Sequence, residues 1–396
     1  MRVLRVIPTI DPDVGGPSNS AVNAAIAESR AGAQTTMVFT GDASSETSTE
    51  RARGRLSASG VRTLMFPRPR LHSRQAGLWG VSPSLLAWIW RHVREFDVVH
   101  VHYVWALSTL GAVVFAKAAG RPVVLTAHES LTSYDIDTAS GSSLKRRAKL
   151  ALRRLIMLRV NTVVCASELE RSDSVQPGEH AVVIGHPVVE YPRSSPLPEP
   201  QVDTLTIGYL GRLHPKKNVD ILLRALSAIP DARLIACGDG DPVYREELHA
   251  LARELGVDAR IDWRGHVDES GRAELFGDTH VVVMASAYEC FGMAGAEALA
   301  SGVPVVVTES TGLAPLVRAA DAGAVVEAGN VHALARALTG LMDDQSTRRS
   351  RRERALAASS SSFSFQAYGS AILDVYRGRT DHARESVSGA TLAEAV

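Results

Sequence analysis

Apolar residues in the first half of the chain come in short β-branched runs, separated by longer stretches in which they recur every three or four positions. The runs Val3 to Ile7, Thr35 to Thr40, Val61 to Phe66, Val98 to His102, Val123 to Ala127 and Asn161 to Cys165 read as strands. Between them, Ser18 to Arg30, Ser82 to Glu95, Ala106 to Ala119 and Leu144 to Leu158 carry helical spacing. Strand and helix in alternation predict a parallel sheet covered on both faces, hence an α/β domain. This half closes with Ala181-Val-Val-Ile and Gly185-His186-Pro187. The stretch Tyr191 to Pro200 then holds four prolines, which forbid a continuous helix. The pattern therefore predicts one domain over 1–190, an extended linker over 191–203 and a second strand-helix series over 204–362. Phe363 to Tyr376 reads as a final amphipathic helix within 363–378, and the small, polar stretch 379–396 as disordered.

With 396 residues, the chain can bury two cores of ordinary size. Its 43 basic and 43 acidic residues cancel, so no global field recruits nucleic acid. Cys165, Cys237 and Cys290 fall in or beside predicted strands without metal-ligand spacing, which argues against a disulfide framework or a zinc site. Met1 leads straight into Val3-Leu-Arg-Val-Ile with no signal-peptide pattern, and no run of 18 apolar residues occurs. A cytoplasmic protein, peripheral at most at the inner face of a membrane, is the expectation.

The chemistry concentrates in the second half. In Glu289-Cys-Phe-Gly-Met-Ala-Gly-Ala-Glu297 two carboxylates bracket a glycine turn that opens a helix. Free amides at Phe291 to Ala294 and the helix dipole favour a phosphate, while the carboxylates can accept from sugar hydroxyls. A nucleotide sugar suits such a place. Upstream, the strand Thr204 to Leu210 runs into Gly211-Arg212-Leu213-His214-Pro215-Lys216-Lys217-Asn218, and Val219 onward reads as a helix. Arg212 and Lys217 thus sit on a strand-to-helix loop, where open α/β sheets bind ligands. Fixed cations there would stabilise the charge on a departing diphosphate.

With these residues on view, the chain resembles the retaining glycosyltransferases of family 4, which have the GT-B fold of two Rossmann-like domains facing each other across a cleft. The matching residues, in family order, are Gly211-Arg212-Leu213 with Lys217, Gly238-Asp239-Gly240, Gly265-His266-Val267, Glu289 with Glu297, and Gly302-Val303-Pro304-Val305-Val306. The resemblance implies a nucleoside-diphosphate-sugar donor and a hexosyltransferase-type activity. It places Arg212 and Lys217 on the diphosphate, Glu289 with the backbone of Phe291, Gly292 and Met293 on the donor sugar, and Glu297 on the ribose. Gly238 and Gly265 join the donor-binding set, and the last helix crosses back to the first domain. It further implies front-face attack, in which the leaving diphosphate takes the proton of the acceptor hydroxyl. Three positions depart from the family pattern: Asn218 and Cys290 replace common glycines, and Gly185-His186-Pro187 stands where Asn-Gly is frequent. These leave the donor sugar and the acceptor side open.

The first domain adds Gly15-Gly16-Pro17-Ser18 after strand one, with Ser18 or Asn19 as the expected helix cap; a matching glycine turn in the family faces the donor phosphate or the acceptor, so the resemblance implies that Gly16 is active-site wall in the donor-binding set. His128, just past the strand Pro122 to Ala127, is expected on the cleft side; the resemblance, which has a histidine after a similar strand close to the sugar ring, implies that it binds a sugar hydroxyl or polarises the reacting region rather than acting as a base. His100 and His102 share a strand face, and Asp11-Pro-Asp13, Asp135-Ile-Asp137 and Asp239-Gly-Asp241 invite a metal reading. The cations Arg212 and Lys217 already serve the diphosphate, so no metal and no cofactor are expected. The basic helix at 144–159 either packs its apolar stripe on the sheet or lies on an anionic membrane. The polypeptide is thus expected to serve polysaccharide, glycolipid or small-molecule glycoside assembly. A nucleotide-sugar 2-epimerase of the same architecture and a non-catalytic sugar-nucleotide-binding subunit stay open beside it.

Overall fold

A computed structural model of the protein describes residues 1–12, 15–41, 46–68, 82–138, 143–174, 180–189, 204–341 and 345–379. The expected linker at 191–203, the tail from 380 onward and Asp13 lie outside the described residues. The chain divides into two compact units, Met1–Pro187 with Phe365–Val396, and Val188–Ser364.

Among the described residues of the first unit, β1 (Arg2–Val6), β2 (Gln34–Gly41), β3 (Arg62–Pro67), β4 (Val98–His102), β5 (Val123–Thr126), β6 (Thr162–Cys165) and β7 (Ala181–Val183) form one sheet. Its order is β3-β2-β1-β4-β5-β6-β7 and its pairs are parallel. Chain order reverses between β1 and β4, where Arg5 lies opposite His100. Crevices for ligands open at the carboxyl ends of such a strand pair. The second unit repeats the plan with β8 (Leu205–Leu210), β9 (Ala232–Cys237), β10 (Ile261–Gly265), β11 (Val281–Met284), β12 (Val305–Thr308) and β13 (Gly323–Val326). There the order is β10-β9-β8-β11-β12-β13, with the reversal between β8 and β11.

Both faces of each sheet are covered, which explains the unbroken apolar runs. In the first unit Leu4, Val99 and Leu125 pack on helices Pro83–His92 and Leu107–Ala118. Val3, Val98 and Val124 face Ala24, Ala27 and the C-terminal helix Phe365–Tyr376 through Tyr368, Ile372 and Tyr376. In the second, Ile207, Leu234 and Val283 meet Leu222, Leu226 and Leu338.

Several local expectations need correction. The first helix spans Gly16–Arg30, so Ser18 and Asn19 fall inside it; its N-cap is Gly15, with no side-chain cap, and Ser18 instead donates to the Thr9 carbonyl at 3.3 Å. The helix expected over 82–95 ends at His92 and tightens into a 3-10 turn, Val93–Glu95. A helix at Glu46–Ala58 was not anticipated, because its polar sequence buries little more than Ala52 and Leu56.

The C-terminal helix crosses the first one at Gly369, where an added Cβ would lie 2.5 Å from the Ala27 carbonyl oxygen and 2.9 Å from the Ala31 Cβ. Gly369→Val is therefore expected to lower stability by about 1–3 kcal/mol through overpacking. Urea denaturation measures this, and an unchanged midpoint would contradict the close crossing.

Candidate active site

In the second unit the ends of three neighbouring strands, β8, β9 and β10, are laced together by main-chain hydrogen bonds. Gly211 N–H donates to Cys237 C=O at 3.0 Å, Leu213 N–H to Asp239 C=O at 2.9 Å, and Gly238 N–H to Gly265 C=O at 2.6 Å. The loops approach so closely that a Cβ at Gly238 would stand 1.8 Å from the Gly211 oxygen, at a φ of 146° that disfavours other residues. This lacing shapes the loop after β8. Tyr209 holds the Arg212 carbonyl at 2.8 Å, Pro215–Lys217 forms a 3-10 turn, and Asn218, left-handed at φ 50°, donates from Nδ2 to Ala285 C=O at 3.0 Å.

Lys217 Nζ makes an ion pair with Glu289 Oε2, both side chains being largely buried. Burial alone would raise the Glu289 pKa, but Lys217, backed by Lys216 and Arg212, holds it below the ordinary carboxylate value. The same cations, added to burial, lower the pKa of His214. Arg212 is exposed, and its guanidinium has no hydrogen-bond or ion-pair partner among the described residues. Glu289 is itself fixed by main-chain bonds, its N–H to Ser310 C=O at 3.0 Å and its C=O from Gly312 N–H at 2.8 Å.

Beyond it, helix Met293–Ala300 starts from Gly292 at φ 104°. Its first i to i−4 bond runs from Ala296 N–H to Gly292 C=O at 3.0 Å, so the four leading amides are those of Gly292, Met293, Ala294 and Gly295. The free-amide set thus sits one residue later than the expected Phe291 to Ala294. The Phe291 ring belongs to the core, edge-on to Phe363 at 5.2 Å. Glu297 lies a little over one turn into the helix, buried, with Arg272 NH1 at 3.2 Å from each carboxylate oxygen. Gly265 supplies a left-handed turn at φ 64°.

Gly16 and His128 belong to the first unit. The helix that Gly16 opens also carries Ser20, whose hydroxyl lies 3.5 Å from His128 Nδ1. His128, expected on the cleft side, is buried, its Nε2 2.8 Å from His102 Nδ1 and its ring stacked on His186. Behind them lies an ion pair, Arg5 NH2 to Glu28 Oε2 at 2.7 Å, fully buried. Arg5 NH1 reaches His102 Nε2 at 2.7 Å, and Tyr376 donates to Glu28 at 2.8 Å and meets His100 Nδ1 at 2.6 Å. His100 and His102 therefore work inside a hydrogen-bond network. The aspartate triplets are also occupied: Asp135 and Asp137 face Lys149 and Arg146, Asp239 pairs with Arg245, and Asp241 caps helix Pro242–Glu254. Among the described residues no group of three or more His, Cys, Asp or Glu is placed to hold a metal ion.

Residues 15–185 match the family model for the glycosyl transferase 4-like domain, and residues 195–357 that for glycosyl transferases group 1. The chain is 31% identical over 330 residues to the D-inositol 3-phosphate glycosyltransferase of Streptomyces scabiei, covering 76% of this chain and 73% of that one. Its identity to the enzyme of the same name from Streptomyces griseus is 30% over 340 residues, with 76% and 71% covered. The chain belongs to family 4 of the glycosyltransferases. Solved structures agree on the GT-B fold. Anabaena HepE in complex with UDP and glucose matches with a TM-score of 0.75 at 20% identity over 95% of this chain and 99% of that one. Sucrose-phosphate synthase from Thermosynechococcus elongatus matches with 0.75 at 19% over 96% and 98%.

Sequence reasoning missed the partners that hold this glycosyltransferase's candidate residues: Arg272 for Glu297, and Arg5, Glu28 and Tyr376 behind His128. Arg5 carried a signal, since a cation in the buried run Val3 to Ile7 has to be paired. Burial, then neighbouring charged and histidine groups, holds His100, His102 and His128 well below the ordinary value of 6.5; burial and Arg5 push His186 down to about 4. Below pH 6.5 the unfolded chain binds protons that the folded transferase refuses. Stability is therefore expected to hold above that pH and to fall by a few kcal/mol, in order of magnitude, as pH drops from about 6.5 toward 4. Urea midpoints across this window measure the loss; a midpoint independent of pH would show that the histidines are not buried neutral.

Proposed function

We propose that the enzyme moves a sugar from a nucleoside-diphosphate sugar to an acceptor hydroxyl with retention of anomeric configuration. The observation that carries this reading is the Lys217–Glu289 ion pair in the second unit, with Arg212 exposed on the loop of Lys217 and Glu289 leading into the turn that opens helix Met293–Ala300. Exposed Arg212 suits a forked grip on phosphate oxygens and Lys217 a point charge. Amides at a helix start complement the same anion. Glu289, held ionised, suits acceptance from sugar hydroxyls rather than proton donation. HepE has been solved with UDP-glucose, which supports a donor of this class here.

In this scheme the cations and amides stabilise the leaving diphosphate, which takes the proton from the acceptor oxygen entering on the same face. No metal is required, because the charge it would supply is built in as Arg212 and Lys217. The products belong to polysaccharide, glycolipid or small-molecule glycoside assembly.

Contact with an anionic membrane is part of the proposal. Helix Ser143–Met157 packs on the core through Leu152 and Ile156. Flanking that contact, the helix carries Leu144, 76% exposed, and Leu155, 48%, followed by Leu158, 76%. Residues four and three apart share a helix face, so Ala148 and Ala151 complete this stripe, with exposed Arg147 and Arg154 along its edge. Outward leucines beside cations fit a helix lying in a lipid interface. No helix among the described residues is long and apolar enough to cross a membrane.

Thermal shift with UDP, GDP and ADP, with and without chelator, tests the donor site: one nucleotide is expected to raise the melting temperature in both conditions. Arg212→Ala and Lys217→Ala should each lower transfer from the matching sugar nucleotide by roughly 10²-fold or more. Parental rates in both variants would sink the site assignment. Flotation with vesicles tests the stripe. Binding should require anionic lipid and be lost in Leu155→Ser/Leu158→Ser; equal flotation of parent and variant would remove the helix from the membrane account.

A further inference from the structure

The polar contacts inside the first unit have a single direction. A guanidinium only donates, so Arg5 NH1 makes His102 Nε2 an acceptor at 2.7 Å. A neutral imidazole with one nitrogen accepting carries its proton on the other, so His102 donates from Nδ1 to His128 Nε2 at 2.8 Å. By the same step His128 carries its proton on Nδ1, which faces the Ser20 hydroxyl at 3.5 Å. Ser20 gives its own proton to the Pro17 carbonyl at 3.0 Å, which leaves its oxygen free to accept. The chain thus runs from the buried Arg5–Glu28 pair to the turn that opens the first helix.

The backbone at the far end of this chain is strained. Tyr103, His128 and Glu129 are left-handed at φ 60°, 51° and 73°, just past the carboxyl ends of β4 and β5. Buried Glu170 pins that turn by accepting from Glu129 N–H at 2.8 Å and Ala166 N–H at 2.7 Å. Non-glycine residues kept in this region cluster at functional positions, because ordinary packing gives no reason to retain them.

We infer that Arg5 and His102 are positioning residues that fix His128 as the neutral imidazole protonated on Nδ1, a hydrogen-bond donor to a hydroxyl oxygen of the transferred sugar. The identity of that oxygen rests on the proposed transfer reaction; the tautomer does not. Free imidazole prefers its proton on Nε2, so the relay reverses an intrinsic preference. The 3.5 Å contact to Ser20 is long enough to be exchanged for a ligand oxygen. With Nε2 occupied by His102, His128 has no vacant site for the acceptor's proton, which leaves that proton to the departing phosphate.

Side-chain 15N NMR of the full chain, with His128→Gln for assignment, reads the tautomer without substrate. The expected parent spectrum has His128 protonated on Nδ1 and bare on Nε2 at neutral pH. His102→Leu cuts the relay while keeping the Arg5–Glu28 pair; it should admit the Nε2-protonated form and lower kcat about tenfold, the scale of one hydrogen bond. His102→Gln, whose amide can accept from Arg5 and donate to His128, should restore both. A parent His128 protonated on Nε2 or on both nitrogens would overturn the inference, as would a tautomer unchanged in a folded His102→Leu. If His102→Leu fails to fold, the parent spectrum decides alone. Absence of turnover with every nucleotide sugar would defeat the transfer reading, while the spectrum still judges the relay.

Discussion

A charge placed inside a sheet has to be answered by another charge, and that requirement organises the first unit. Arg5 lies in an inner strand, β1, with none of its side chain exposed. Left alone it would cost several kcal/mol, so it survives only because Glu28 and Tyr376 converge on it. Glu28 comes from the first helix and Tyr376 from the last, 371 residues from Arg5 along the chain. The C-terminal helix therefore belongs to this unit electrostatically as well as through the tight crossing at Gly369. Burial works against the Arg5 charge, yet Glu28 more than offsets it and holds the guanidinium well above its ordinary pKa. That fixed cation in turn disfavours protonation of the histidines around it.

The second unit handles charge the opposite way. Its cations stand on loops at the sheet rim, where Arg212 is exposed and the Lys217–Glu289 pair is reachable from solvent. The value of that pair lies in holding a lysine and a carboxylate ready, at a spot shaped by main-chain bonds that cost them nothing to keep. Gly238 and Gly240 make this possible, since any side chain there would push the β8 and β9 loops apart.

How far the sequence reveals this follows from which interactions are local. Parallel strands covered on both faces leave unbroken apolar runs, so the doubly wound plan is legible from Val3 onward. Glycines that permit a close approach, such as Gly238, leave a mark as well. Pairings across the sheet leave none: Lys217 and Glu289 are 72 residues apart, and Arg272 and Glu297 lie on different helices. Ser18 misleads as a cap because Gly15, at φ 141°, lets the helix begin two residues early. The surroundings of His128 are equally hidden, since a strand-end position gives no indication that Tyr103, His102 and His186 lie against its ring.

Both sheets place their chemistry at the same topological point, yet they equip it differently, and the dielectric surroundings explain why. At the β8/β11 reversal a rim cation keeps its hydration until an anion arrives and can then exchange water for phosphate. At the β1/β4 reversal Arg5 already fills the core with positive charge, and a second cation on His128 would meet both its repulsion and the cost of burial. A neutral group with a fixed donor direction is what such a position can support. The two sheets thus differ in how they hold charge, because one buries its arginine in an ion pair and the other leaves it at the surface.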